Sequence, residues 1–216
     1  NSHSKLAKYL MDQHLSEANL EKVCEIFSKN EELITDEYLA KYNIYCLVVN
    51  EKKEEAQLIL DLKKELGFED KYFENKISYL LGFTSKIDKN ISENSIFDFH
   101  LAHQTNPDFF FEPKETTNKI IWKYLSSFNL LNNSQDIDIE ELDKISTLEK
   151  ATHDKNYPEA DLFELYKRFQ FNLNQLLNVR EFSQSLSNIE ARALTYQKIL
   201  LESEMIEKLK LLKILK

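Results

Sequence analysis

Apolar residues recur along this chain at spacings of three and four, the pattern of helices with one buried face, and no stretch alternates strictly as a half-buried strand does. One stripe runs through Leu20, Val23, Cys24 and Phe27, and the next through Leu39, Tyr42, Cys46 and Val49. Ile59, Leu62 and Leu66 form a third, and Phe73, Ile77, Leu80 and Leu81 a fourth. Gly67 and Gly82 stand where a left-handed helix cap favours glycine. The first 83 residues therefore read as four or five antiparallel helices joined by short turns.

The texture changes after Gly82. A polar run leads to a short helix expected over Ser92–His103, and the stretch from Asn106 to Lys114 holds two of the three prolines around Phe109, Phe110 and Phe111. This stretch is the candidate hinge. Helical spacing resumes at Ile121, Tyr124, Leu125 and Phe128, then at Asp138, where Glu141 suggests a capping box. Pro158 is expected to open one long helix carrying Leu162, Tyr166, Phe169, Leu173, Leu176 and Leu177. Ser187 with Glu190 repeats the capping-box signature, and a last stripe runs through Met205, Leu209, Leu212 and Leu215 without a terminal cap, as in a helical array that continues.

These stripes predict an all-α chain. The expected architecture is an irregular α-solenoid of tetratricopeptide-like stacked hairpins, with a globular multi-helix domain as the competing shape. Its expected parts are N-terminal hairpins over 1–83, a short helix and Pro/Phe-containing hinge over 84–114, and C-terminal hairpins over 115–216.

Composition supports the helices and narrows the chemistry. With 2 glycines and 3 prolines among 216 residues, tight hairpin turns and glycine-lined phosphate loops have almost no raw material. The net charge of -9 argues against a phosphate-backbone partner, so nucleic acid is not expected. Much of the excess lies between Asn132 and Glu164, where ten carboxylates face three lysines; a solvated helical face explains it better than a basic partner. No apolar run approaches the length of a membrane-spanning helix, so no insertion of this segment is expected.

Candidate chemistry is sparse. Cys24 and Cys46 lie on the stripes of successive helices, which leaves either a bridge or two buried free thiols. Two cysteines without a matching histidine pair cannot fill a zinc site. His100 and His103 are three apart, a spacing that could serve one metal, but packing beside aromatics is the stronger reading. Glu202-Ser203 matches the acid dipeptide of lytic transglycosylases, yet the glycine-rich stretch expected after it is replaced by Glu204-Met205-Ile206-Glu207. No cofactor, catalytic residue or metal ligand is expected. Trp122, Tyr124 and Phe128 fit core spacing, whereas Phe109, Phe110 and Phe111 are the candidate contacts for a partner.

The stretch holding Cys24, Asn43-Ile44-Tyr45-Cys46-Leu47-Val48-Val49-Asn50-Glu51, Ala56-Gln57-Leu58-Ile59-Leu60-Asp61-Leu62, Asp70-Lys71-Tyr72-Phe73 and Leu80-Leu81-Gly82 resembles a group of α-proteobacterial envelope proteins. Those proteins often carry the automatic label antifreeze glycopeptide polyprotein. Glu190-Ala191-Arg192-Ala193-Leu194-Thr195-Tyr196-Gln197-Lys198-Ile199-Leu200 is similar to a later helix of the same group. The resemblance covers under half of the chain, on helix patterns rather than catalytic signatures. It implies a longer helical-repeat protein with an export signal, hence a periplasmic or secreted setting and a Cys24–Cys46 bridge; a cytoplasmic setting is the alternative. Ice binding is not implied, because no flat Thr- or Ala-rich face is present. The chain departs from the group in being rich in Lys, Asn and Ile.

The function expected is a non-enzymatic helical-repeat module that binds a protein partner or scaffolds within a larger envelope protein. The alternative is a helical accessory domain of a peptidoglycan-active, lytic transglycosylase-like enzyme.

Overall fold

In the computed structural model, the described residues 2–30, 37–132 and 134–215 form thirteen α-helices and no strand, so the chain is all-α. They divide into two compact units. The first holds 1–112 and 118–130, and the second holds 113–117 and 131–216.

The first unit contains α1 (Ser2–Ser16), α2 (Leu20–Asn30), α3 (Glu37–Val49), α4 (Lys53–Glu65), α5 (Lys71–Leu81), α6 (Ile96–Thr105) and α7 (Lys119–Ser127). Consecutive helices pack pairwise, α1 with α2, α3 with α4 and α5 with α6. Helix α3 is buried on more than one face: Leu39, Tyr42, Ile44, Tyr45, Cys46 and Val48 are all inside. Helix α6 is likewise inside from Ile96 to Ala102. Neither is a simple amphipathic stripe, because other helices cover them on several sides. The Phe97 ring lies among Tyr38, Tyr42, Tyr45 and Phe73 at centroid distances of 4.2 to 6.3 Å.

Polar side chains fix how these helices meet. Tyr38 and Tyr42 of α3 both donate hydroxyl hydrogens to Asp12 Oδ1 of α1, each at 2.8 Å. Burial raises the Asp12 pKa even though both hydrogen bonds favour its charged form. Lys41 of α3 pairs with Asp70, which caps α5 by accepting the Phe73 N–H at 2.9 Å, and lies 3.7 Å from Asp98 of α6. Gly82 caps α5 at φ 85, and Phe83 N–H returns to the Ser78 carbonyl at 2.9 Å. No side chain would crowd either Gly67 or Gly82; positive φ alone selects glycine there.

The second unit contains α8 (Leu142–His153), α9 (Glu159–Arg168), α10 (Leu173–Leu177), α11 (Val179–Phe182), α12 (Asn188–Leu201) and α13 (Met205–Leu212). Helix α12 is its hub, touching the other five. It starts at the expected capping box: Ser187 Oγ accepts Glu190 N–H at 3.2 Å, and Glu190 accepts Ser187 N–H at 2.9 Å.

Several sequence expectations shift. The short helix begins at Ile96 rather than Ser92, because Ser95 Oγ caps it through Asp98 N–H at 3.0 Å. Asp138 accepts Glu140 N–H in a turn, and α8 starts after Glu141 with no side-chain cap. The long helix expected after Pro158 is broken. It ends at Arg168, and Asn172 with Gln175 builds a new capping box for α10. The break is stabilised by Gln197 of α12, whose amide donates to the carbonyls of Tyr166 and Phe169 at 2.8 Å each.

The domain boundaries move as well. Residues 84–112, expected to form part of a hinge between two sets of hairpins, belong with α7 to the first unit, because Phe99 packs edge-on against Phe109, Phe111 and Tyr124.

Candidate functional site

The two histidines singled out by spacing sit in a chain of hydrogen bonds. His100 is buried, with Nε2 2.6 Å from the Tyr45 hydroxyl and Nδ1 2.8 Å from the Tyr124 hydroxyl. His103 Nδ1 approaches the same Tyr124 hydroxyl at 2.7 Å and Gln104 Nε2 at 3.4 Å. An amide nitrogen can only donate, so His103 Nδ1 is an acceptor here. Tyr124 therefore donates to His103 and accepts from His100 Nδ1–H, which leaves His100 Nε2 to accept from Tyr45. The chain runs in one direction, with the Tyr124 hydroxyl accepting one hydrogen bond and donating one.

Burial lowers the His100 pKa to about 3, with His103 adding a smaller push in the same direction. Burial lowers His103 and raises Tyr45 and Tyr124. All four groups are held neutral, and aromatic rings surround them: Phe128 stacks on Tyr124 at 4.2 Å and Phe109 lies 5.1 Å from His103. Both Nδ1 atoms are committed to one phenol, so the pair serves packing and register.

The phenylalanine triplet divides. Phe109 and Phe111 pack edge-on against Phe99 at 5.5 and 4.9 Å, whereas Phe110 between them is 64% exposed. Two of the three candidate contacts thus anchor the loop, and one projects. Trp122 and Tyr124 are core residues. Cys24 of α2 and Cys46 of α3 are joined by a disulfide with Cα atoms 5.6 Å apart. Of the two sequence alternatives, the structure holds the bridge.

Glu202 of the Glu-Ser pair is set up against acid catalysis. It accepts N–H bonds from Ser203 at 3.0 Å and Glu204 at 3.2 Å and pairs with Lys198 at 3.1 Å. The Glu204 N–H, followed by Lys198, holds its pKa below the ordinary carboxylate value, whereas a general acid near neutral pH needs it raised.

The most informative surface was misread by the periodicity. The stripe Ile59, Leu62, Leu66 was expected to face inward, but α4 buries Ala56 and Leu60 instead. Leu58, Leu62 and Leu66 are 61%, 49% and 83% exposed. They are four apart, so they form one row along the solvent face. Glu54 continues the row, Asp61 and Glu65 border it on one side and Glu55 on the other, and all four carboxylates are exposed. On α13 the same inversion occurs. Leu211 faces the unit, and Met205, Ile206, Leu209 and Leu212 face solvent. Exposed large apolar residues one turn apart were the available signal, but spacing alone does not say which way a stripe points.

Comparison with protein-family models, with curated proteins and with solved structures finds no match to this chain. Among the described residues, no helix is long and apolar enough to cross a membrane.

Proposed function

We propose that this chain is a non-enzymatic helical module that binds another protein, with the solvent face of α4 as its contact surface. The observation that carries the reading is the exposed row Leu58, Leu62 and Leu66, bordered by Glu54, Glu55, Asp61 and Glu65. Fully burying a leucine stabilises by ~1.5–3 kcal/mol, so three in one row supply part of the driving force for association. The acidic border selects the partner chemistry: an amphipathic helix with lysine or arginine beside its apolar face.

Within this proposal, the sequential pairing of α1 with α2, α3 with α4 and α5 with α6 supports stacked helical hairpins of tetratricopeptide-like kind, while the packing of α1 against α6 and α7 favours a closed, globular arrangement of the first unit over an open solenoid. The Cys24–Cys46 bridge supports an oxidising compartment, periplasmic or extracellular.

The test is capture of proteins from the native compartment by the intact chain and by a Leu58→Glu, Leu62→Glu variant, with circular dichroism to check that both are folded. The reading predicts a partner retained by the first and lost by the second. Equal recovery by both chains contradicts the α4 surface.

A further inference from the structure

The two solvent-facing apolar rows of this chain carry borders of opposite sign. Around Leu58, Leu62 and Leu66 of α4 stand Glu54, Glu55, Asp61 and Glu65; Glu55 pairs with Lys52 at 3.5 Å and half-buried Lys63 flanks the row, which leaves the border net negative, while Lys53 and Lys64 fall on the other side of the helix. Around Met205, Ile206, Leu209 and Leu212 stand Lys208, Lys210 and Lys213, each three or four residues from an exposed apolar side chain. Glu207, on the half-buried side of α13, accepts from Lys210 Nζ at 2.6 Å, so half-buried Lys208 and exposed Lys213 carry most of the positive border. In a chain of net charge -9, this local excess of lysine at an apolar face is out of character.

The rows also match in length. Leu58 to Leu66 spans about 12 Å of helix and Met205 to Leu212 about 10 Å, at the ordinary rise per residue. Each row presents side chains one turn apart, so the ridge of one can lie in the groove of the other.

We infer that α13 of one copy docks on α4 of a second copy, so that the chain associates with itself head to tail. The inference rests on the reading of α4 as a binding surface and names its partner. Charge decides the pairing: α13 against α13 would set lysines against lysines, and α4 against α4 would set carboxylates against carboxylates. Only the unlike pair brings opposite borders together over two leucine-rich rows. Because the two surfaces differ, the contact is heterologous.

Sedimentation velocity on the intact chain over about a hundredfold range of concentration reads this directly. The average mass should rise with concentration. Two variants then separate the halves: Leu58→Glu with Leu62→Glu removes the α4 row, and Leu209→Glu with Leu212→Glu removes the α13 row. All four leucines are exposed, so both variants should fold. Each should be monomeric alone, and their mixture should form a one-to-one dimer through the one intact surface that each retains.

Lys208→Glu with Lys213→Glu should weaken association by about tenfold or more, and Glu54→Lys with Asp61→Lys in the mixing partner should restore it. A mixture that stays monomeric, or a single variant that associates as the parent does, overturns the proposal. A parent chain that stays monomeric but co-sediments with phosphatidylglycerol vesicles overturns it too, and assigns α13 to an anionic lipid surface. A monomeric chain whose α4 row still captures a different protein removes the self-association alone and leaves the α4 surface in place.

Discussion

His100 donates its Nδ1–H to the Tyr124 hydroxyl across 2.8 Å, joining α6 to α7 inside the first unit by a bond between two groups that are both held neutral. The bond completes a directed chain from Tyr45 to His103 and sets the register of three helices at once. Buried polar networks of this kind specify a packing arrangement because each member is costly to leave unpaired.

Stability should fall on acidification because of this histidine. An unfolded chain protonates the imidazole below its ordinary pKa of about 6.5, whereas the folded chain resists protonation down to about pH 3. The stability held by the neutral imidazole is therefore complete above about pH 6.5 and is lost as pH falls from there toward 3. Between about pH 7 and about pH 4.5 the loss should be on the order of 2 kcal/mol, with His103 adding in the same direction. Urea unfolding at the two pH values measures it, and His100→Phe should show a distinctly shallower dependence whatever its own stability. An equal dependence in both chains would contradict the buried neutral histidine.

Reduction should loosen the first unit. The Cys24–Cys46 bridge closes a loop of sequence separation 22, and a loop of that size limits the unfolded chain by about 3 kcal/mol. Thermal unfolding with and without reductant should show a drop in Tm, reproduced by Cys24→Ala with Cys46→Ala. Alkylation followed by mass measurement should label both thiols only after reduction.

The orientation of α4 can be checked through stability alone. Leu60 is 2% exposed, so Leu60→Ala should cost about 2–5 kcal/mol. Leu62 is half-exposed, and Leu62→Glu should change stability by no more than about 0.5 kcal/mol. The reverse order in denaturant unfolding would mean that Leu62 faces the core.

In the second unit, Arg192 donates from Nε to Glu149 Oε1 at 2.9 Å and from Nη2 to Oε2, and Tyr166 donates to the same carboxylate at 2.6 Å. Lysine cannot reproduce that two-pronged geometry. Arg192→Lys should therefore cost about 1–2 kcal/mol, a figure reduced for the partial exposure of the arginine. A double-mutant cycle with Glu149→Gln measures the coupling, and a coupling near zero would show that the pair contributes nothing.

What the sequence made legible was local. Ser187 and Glu190 are three apart and form their capping box as read, and Gly82 caps α5 as its position suggested, because these motifs depend only on nearby backbone. The break at Phe169 was missed because apolar spacing runs on through Leu173, although Asn172 and Gln175 offered the competing capping signal. The α4 surface was misassigned for a different reason. Both sides of that helix carry apolar residues, and the neighbours bury the side with Ala56 and Leu60 rather than the row with the larger leucines. The His100–Tyr124 bond joins residues 24 apart, a pairing that no local pattern encodes.

The claim that α4 is a contact surface is tested most directly by a photoreactive amino acid placed at position 62, with the same group at position 64 on the opposite side of the helix as the control. Irradiation in the native compartment should give a discrete protein adduct from position 62 and none from position 64. No adduct from position 62, or equal adducts from both, would contradict the account.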